Sequence, residues 1–288
     1  MLKVVFTCAL LAALPLATAG ATDLSARYEA LQAAASEDPA AWRALAAEAR
    51  EAGDLATASR ALERAAGLGL APIPLGFERA RQRLAAGDEA GAVGVLRGLV
   101  DGGFTGLQSI TGDPQLGALA GNPAFDELVA ELEVSAYPCA HQERFRAFDF
   151  WLGDWDVHTP NGTFAGSNRI RADQQGCVLI EEWQSVTGGR GHSINYLDAA
   201  SDEWVQVWND EGGSQIHIRG GMTEEGMLLV GKIHYVANGS TADFRGLWTP
   251  LPDGRVRQFF EQSSDGGASW TSWFEGFYSR RDSSDGGP

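Results

Sequence analysis

Two rhythms of apolar and polar positions run along the chain. Up to about residue 137, apolar side chains recur three and four apart, as at Phe125, Leu128, Val129 and Leu132, the spacing that gives a helix one apolar face. Ala, Leu, Glu and Arg, all good helix formers, dominate this part. The pattern predicts a helix over residues 23–36 and another that Pro39 opens in its first turn. After Gly102-Gly103 it predicts two short helices, where Asp113-Pro114 and Asn122-Pro123 place a capping side chain ahead of proline. From Phe148 onward the period becomes two. Trp204, Gln206 and Trp208 share one face of a strand and Val205 and Val207 the other; Phe244, Gly246 and Trp248 alternate with Arg245, and Val256, Gln258 and Phe260 with Arg257 and Phe259. Strands are expected near 150–159, 163–173, 177–186, 190–198, 203–209, 214–220, 226–236, 241–249, 255–263 and 269–280. Six turns between them carry Gly or Asn, which tolerate the positive φ of tight hairpins. About ten sequential strands with short links predict an up-and-down antiparallel barrel, which has no sheet edges. A two-sheet sandwich is the runner-up.

The expected class is thus all-α followed by an antiparallel up-and-down β-barrel. The expected divisions are a leader at 1–21, a helical-repeat domain at 22–137, the barrel at 138–282 and a disordered tail at 283–288. Pro138 interrupts the helical pattern at the boundary. Inside the helical part, Ala52-Gly53-Asp54 recurs as Ala86-Gly87-Asp88, a period of 34 that continues at Ala58 and Ala92, Leu62 and Leu96, Ala65 and Leu99. This period and the residues Trp42, Leu45, Ala46, Gly53, Asp54, Ala58 and Ala65 resemble the tetratricopeptide repeat, a helix–turn–helix unit. The second copy departs from it: Gly76 stands where Trp42 stands, and Arg79 where Leu45 stands. The resemblance implies either a groove that docks a protein partner or a helical spacer.

The barrel part opens with Phe148-Asp149-Phe150-Trp151-Leu152-Gly153-Asp154-Trp155-Asp156-Val157. Its Gly153-x-Trp155 resembles the signature of lipocalin-like (calycin) barrels. The longer run resembles the opening of an uncharacterised bacterial family of such barrels, over about residues 145–281. In calycins an Arg at the end of the last strand covers the Trp; Arg280 or Arg281 stands at that place here. The resemblance implies a fold and no activity. A second motif, Ser263-x-Asp265-x-Gly267-x-Ser269-Trp270, matches the Asp-box of β-hairpins. There the Asp accepts turn N–H groups and the Trp packs under the turn, a structural staple.

Residues 1–21 read as a secretory signal: Lys3, an apolar run too short to span a bilayer, then Ala17-Thr18-Ala19 and Ala19-Gly20-Ala21 as cleavage sites. The expected location is periplasmic or secreted, with no membrane span. Without Cys8, two cysteines remain in an oxidising compartment, Cys139 and Cys177; a disulfide between them is the economical reading, and two buried thiols the alternative. The net charge is −16, with 9 basic and 17 acidic residues in 22–137 and 12 and 21 in 138–288. Neither part has the basic patch that nucleic acid or anionic lipid requires.

Five histidines lie at 141, 158, 192, 217 and 234, none paired at a metal-ligand spacing. No Gly-x-Ser-x-Gly, Walker or dinucleotide motif appears, so no metal and no cofactor are expected. Asp154/Asp156 and Glu181/Glu182 could supply a carboxylate pair. Adjacent residues of a strand face opposite sides, however, so Glu181 and Glu182 cannot share a pocket, and a solvated outer face accounts for most of these acids. Eight of nine Trp lie at or beyond residue 151. They build either a filled core or an aromatic pocket. The candidate pocket residues are Trp204, Gln206, Trp208, Trp248 and Gln258, with Arg245 as a possible anion partner, although alternation sends Arg245 and Trp248 to opposite faces.

Three functions remain open: an exported, non-enzymatic binding protein whose barrel holds a small, partly apolar molecule while its helices dock a partner; an enzyme using the same pocket; and a structural protein with a filled barrel. An open cavity lined by a polar cluster with perturbed pKa values favours the enzyme, a cavity without one the binder, and a solid barrel the third.

Overall fold

The structure, a computed structural model, describes residues 19–281. The tail and most of the leader lie outside the described residues. The chain forms two compact units, divided after Ala136.

The first unit consists of antiparallel helices. α1 (Ala19–Ala33) precedes two pairs, α2 (Pro39–Glu51) with α3 (Leu55–Gly67) and α4 (Pro72–Ala85) with α5 (Glu89–Asp101). Short α6 (Leu107–Thr111), a 3-10 turn and α7 (Pro123–Ala136) follow. The 34-residue period is visible in the caps: Asp54 accepts from Thr57 N and Asp88 from Gly91 N, at equivalent helix starts. Trp42, Leu45, Ala46 and Ala49 of α2 pack on Ala58, Ala61, Leu62 and Ala65 of α3, where the alanines allow close approach. In the degenerate second copy, Gly76 leaves the space that Leu99 fills; a Cβ there would lie 2.7 Å from Leu99 Cδ2. Arg79 is simply turned outward. A buried polar chain joins the pairs: Arg50 of α2 bonds Glu78 of α4, Glu78 bonds Arg81 at 2.8 Å, and Arg81 bonds Asp113.

The second unit is a closed barrel of ten antiparallel strands, each bonded to its sequence neighbours, with β1 and β10 closing the ring. The strands are β1 (Gly153–His158), β2 (Phe164–Asp173), β3 (Val178–Ser185), β4 (Arg190–Asp198), β5 (Glu203–Asp210), β6 (Ser214–Met222), β7 (Met227–Tyr235), β8 (Ser240–Pro250), β9 (Val256–Ser263) and β10 (Thr271–Arg280). Closure excludes the sandwich. Two short helices, α8 (Pro138–His141) and α9 (Glu143–Arg146), and a 3-10 turn at Asp149–Trp151 precede β1. Residues 150–152 were expected to extend the first strand and do not. A strand would send Phe148 and Trp151 to opposite faces. The 3-10 turn puts both into the barrel's end, their rings 5.0 Å apart, against Trp204 and Trp248 at 5.6 and 5.3 Å from Phe148.

Cys139 and Cys177 are at bonding distance and join the segment before β1 to the start of β3. Arg280, paired in register with Trp155, lies over the Trp155 ring at 4.4 Å. Gly153 (φ 139°) admits that guanidinium: a Cβ there would come within 2.3 Å of it. The Asp-box closes the β9–β10 turn. Asp265 accepts from Ser269 N at 2.9 Å and from the Ser263 and Ser269 hydroxyls at 2.6 Å, and these bonds hold its carboxyl far below the usual range. Trp270 carries the Arg245 guanidinium at 4.3 Å from its ring. Among the described residues no helix is long and apolar enough to cross a membrane.

Candidate functional site

Alternation decides what enters the barrel, and the end plug decides where it is filled. Phe148, Trp151, Trp155, Trp204, Trp248 and Phe260 form a continuous buried core at the plugged end. Trp155 Nε1 donates to Trp151 O and Trp204 Nε1 to Arg144 O, which ties plug to wall. Toward the other end, reached by the β3–β4 and β5–β6 turns, the lumen is not filled. A cavity of about 460 Å³ opens there, within the ~300–1,000 Å³ typical of small-molecule sites. Trp183, Trp208, Phe260, Trp273 and Phe274 wall it, Arg190 and Asp210 stand near its mouth, and Glu181, Gln206, Gln258 and Tyr278 form its polar floor.

Glu181 sits on β3 opposite Ser193 of β4 and is 3% exposed. Asn168 Nδ2 donates to one carboxylate oxygen at 2.7 Å and Ser193 Oγ to the other at 2.6 Å. Asn195 Nδ2 donates to Ser193 Oγ at 2.8 Å, and Gln206 Nε2 to Asn195 Oδ1 at 2.9 Å. Asn168 Nδ2 also reaches Tyr278 Oη at 3.2 Å, and the Tyr278 hydroxyl donates to Gln258 Oε1. Burial pushes Glu181 up to about 7 against the pull of its two donors. Burial, reinforced by the Glu181 charge, pushes Tyr278 well above its ordinary value.

The six candidate pocket residues separate into three groups. Gln206, Trp208 and Gln258 line the cavity. Trp204 and Trp248 face inward and are fully packed at the plugged end, because they lie nearer the plug along their strands. Arg245 lies on the outer face, bonded to Glu261 at 2.7 Å and stacked on Trp270, as its alternation with Trp248 demands. The acids separate similarly. Asp154 and Asp156 are outside, paired with Arg169 and Arg281, and Glu182 faces a different surface from Glu181.

The solvated face that accounts for most of the acids does not account for Glu181, which the sequence offered only as half of a carboxylate pair and not among the pocket residues. The signal lies across strands and not within β3: Leu179, Glu181 and Trp183 share a face, and Asn168, Ser193, Asn195 and Gln206 are polar residues at inward positions of β2, β4 and β5, which only the register brings together. His217 lies opposite Lys232 and His234 opposite Gln215, so the two are not cross-strand partners. Among the described residues no group of three or more His, Cys, Asp or Glu side chains is placed to hold a metal.

Fold and site together define a plugged antiparallel barrel with an aromatic cavity over a buried carboxyl. No protein-family model matches the chain, and no curated protein sequence matches it.

Proposed function

We propose that the barrel is a receptor for a small, partly apolar molecule. The observation that carries this is the cavity itself, aromatic-walled and open at one end, with four polar side chains on its floor. Trp183, Trp208, Trp273 and Phe274 give the ligand's body apolar contact, and Glu181, Gln206 and Gln258 orient its polar end. Export belongs to the same proposal, supported by the paired Cys139 and Cys177, which suit an oxidising compartment. The helical unit, on this reading, docks a protein partner, supported by its repeated helix pairs.

A second reading, acid–base catalysis in the same cavity, is the one that a polar cluster with perturbed pKa values favours; it stands second because Tyr278 is held neutral, which leaves Glu181 as the single floor group placed to exchange a proton. Glu181, at about 7, can exchange a proton near neutrality, and it is part of a polar cluster lining an open cavity. Native mass spectrometry of the full chain purified from an oxidising compartment tests both. A non-covalent adduct that leaves on denaturation and is recovered chemically unchanged supports the receptor. A molecule recovered in altered form moves the assignment to catalysis. A bare mass, both as purified and after incubation with a panel of small aromatic and aliphatic molecules, overturns the cavity as a binding site.

A further inference from the structure

The floor of the cavity has a donor–acceptor imbalance. Asn168 Nδ2, Ser193 Oγ, Asn195 Nδ2, Gln206 Nε2 and the Tyr278 hydroxyl all donate to neighbouring protein oxygens. With Glu181 ionised, only Gln258 Nε2 among the described residues is left as a floor donor with no protein partner. Acceptors, by contrast, are in surplus. The Glu181 carboxylate, which lines the cavity, is held by two neutral donors and no cation, and behind the floor, out of a ligand's reach, Asn168 Oδ1 is buried with no partner. A buried carboxylate bonded only by neutral groups is an uncompensated charge. The nearest cationic side chain lining the cavity, Arg190, is exposed near the mouth. The walls above Glu181 are the faces and edges of three Trp and two Phe rings, which attract cations and accept apolar bodies alike.

We propose that the cavity is built for a small organic ammonium, its cationic head against Glu181 and its aromatic or aliphatic body between Trp183, Trp208, Trp273 and Phe274. This rests on the receptor reading above and names the ligand class. The head donates N–H groups to an acceptor-rich floor and supplies the charge that the floor lacks. Gln258 Nε2 is available to an acceptor atom carried beside the ammonium.

Binding an ammonium requires Glu181 ionised, so a proton leaves as the ligand enters. The other titratable groups around it are Tyr278 from β10, kept neutral by its raised pKa, and Arg190 and Asp210 near the mouth. Asn168 from β2, Ser193 and Asn195 from β4 and Gln206 from β5 complete its surroundings and are uncharged.

The test is a matched series on the full chain: 2-phenylethylammonium, 2-phenylethanol and 3-phenylpropionate, titrated by calorimetry and by quenching of Trp fluorescence. The expected order is ammonium at least tenfold tighter than alcohol, with the carboxylate weakest. Below pH 7 the ammonium's affinity is expected to fall by about tenfold per pH unit as Glu181 takes up its proton. Glu181→Gln is expected to erase the ammonium's advantage and keep the alcohol within about threefold; its circular dichroism reports that it folds, and the wild-type series stands without it. Equal affinities, a preference for the carboxylate, an alcohol that tightens on acidification, or an advantage that survives in E181Q overturns the ammonium assignment while the receptor reading stands. No binding of any of the three at millimolar concentration overturns both.

Discussion

At the residue scale, Glu181 departs furthest from what its local sequence suggests, and it makes stability depend on pH in the direction opposite to that of most carboxylates. Its pKa is raised by burial from 4.5 to about 7. The folded chain therefore holds a proton that the unfolded chain has lost between these values. The stabilisation from the neutral form is fully present below pH 4.5 and is lost as pH rises through 7, on the order of 3 kcal/mol in all. Exposed acids such as Asp265, whose carboxyl is depressed, act in the other direction and overlay the total. Glu181→Gln isolates the effect: its urea midpoint is expected to gain on wild type between pH 5 and pH 8, and an unchanged difference would show that Glu181 titrates normally. Alternation made Gln206 and Gln258 legible as inward residues. Glu181 was not, because Ile180 and Leu179 make both faces of β3 apolar at that point and leave its inward face ambiguous.

At the scale of elements, an alanine seam closes the first helix pair and a buried ion pair joins it to the second. Arg50 and Glu78 are 8% and 7% exposed, and Glu78 also holds Arg81. Removing one partner of a buried pair leaves the other desolvated and unpaired, at a cost of about 3–5 kcal/mol. Glu78→Gln is therefore expected to speed amide exchange in α2 and α4 by about 100-fold to a few thousandfold, since 1.4 kcal/mol is about tenfold. Exchange at the wild-type rate would show the pair to be dispensable. The turns at Gly53-Asp54 and Gly87-Asp88 and the helix start at Asn122 were readable, because such bonds are local; Asp113 holds a 3-10 turn instead of opening a helix, and the helix after Asn122 runs on to Ala136 instead of stopping short. The Arg50–Glu78 pair was not, because it joins residues 28 apart and depends on how α2 crosses α4. The hairpins were likewise local. The 3-10 turn before β1 was not, since Asp149–Trp151 adopts it only when Phe148 and Trp151 have a barrel end to fill.

For the barrel unit as a whole, the Cys139–Cys177 bond anchors the plug segment to the wall. It closes a loop across a separation of 38 residues, which on chain-entropy grounds is worth about 4 kcal/mol. Reduction, or the double change Cys139→Ser and Cys177→Ser, is expected to lower the barrel's melting midpoint by on the order of 10 °C. A denatured mass at the full thiol value in the oxidised sample would show that the bond does not form. Strand number, strand order, hairpin positions, helix caps and the 34-residue period were all determined by the sequence alone. Each rests on bonds between near neighbours or on side-chain alternation, which is written into adjacent positions. The tertiary structure decided which end of the barrel is solid and which is open. It also separated Trp204 and Trp248, which became core, from Trp208, which became wall, and left Glu181 ringed by Asn168, Ser193 and Tyr278 rather than in water. Depth along a lumen and the company a side chain meets there depend on closure of the ring between β1 and β10, a contact between residues more than a hundred positions apart that no local pattern encodes.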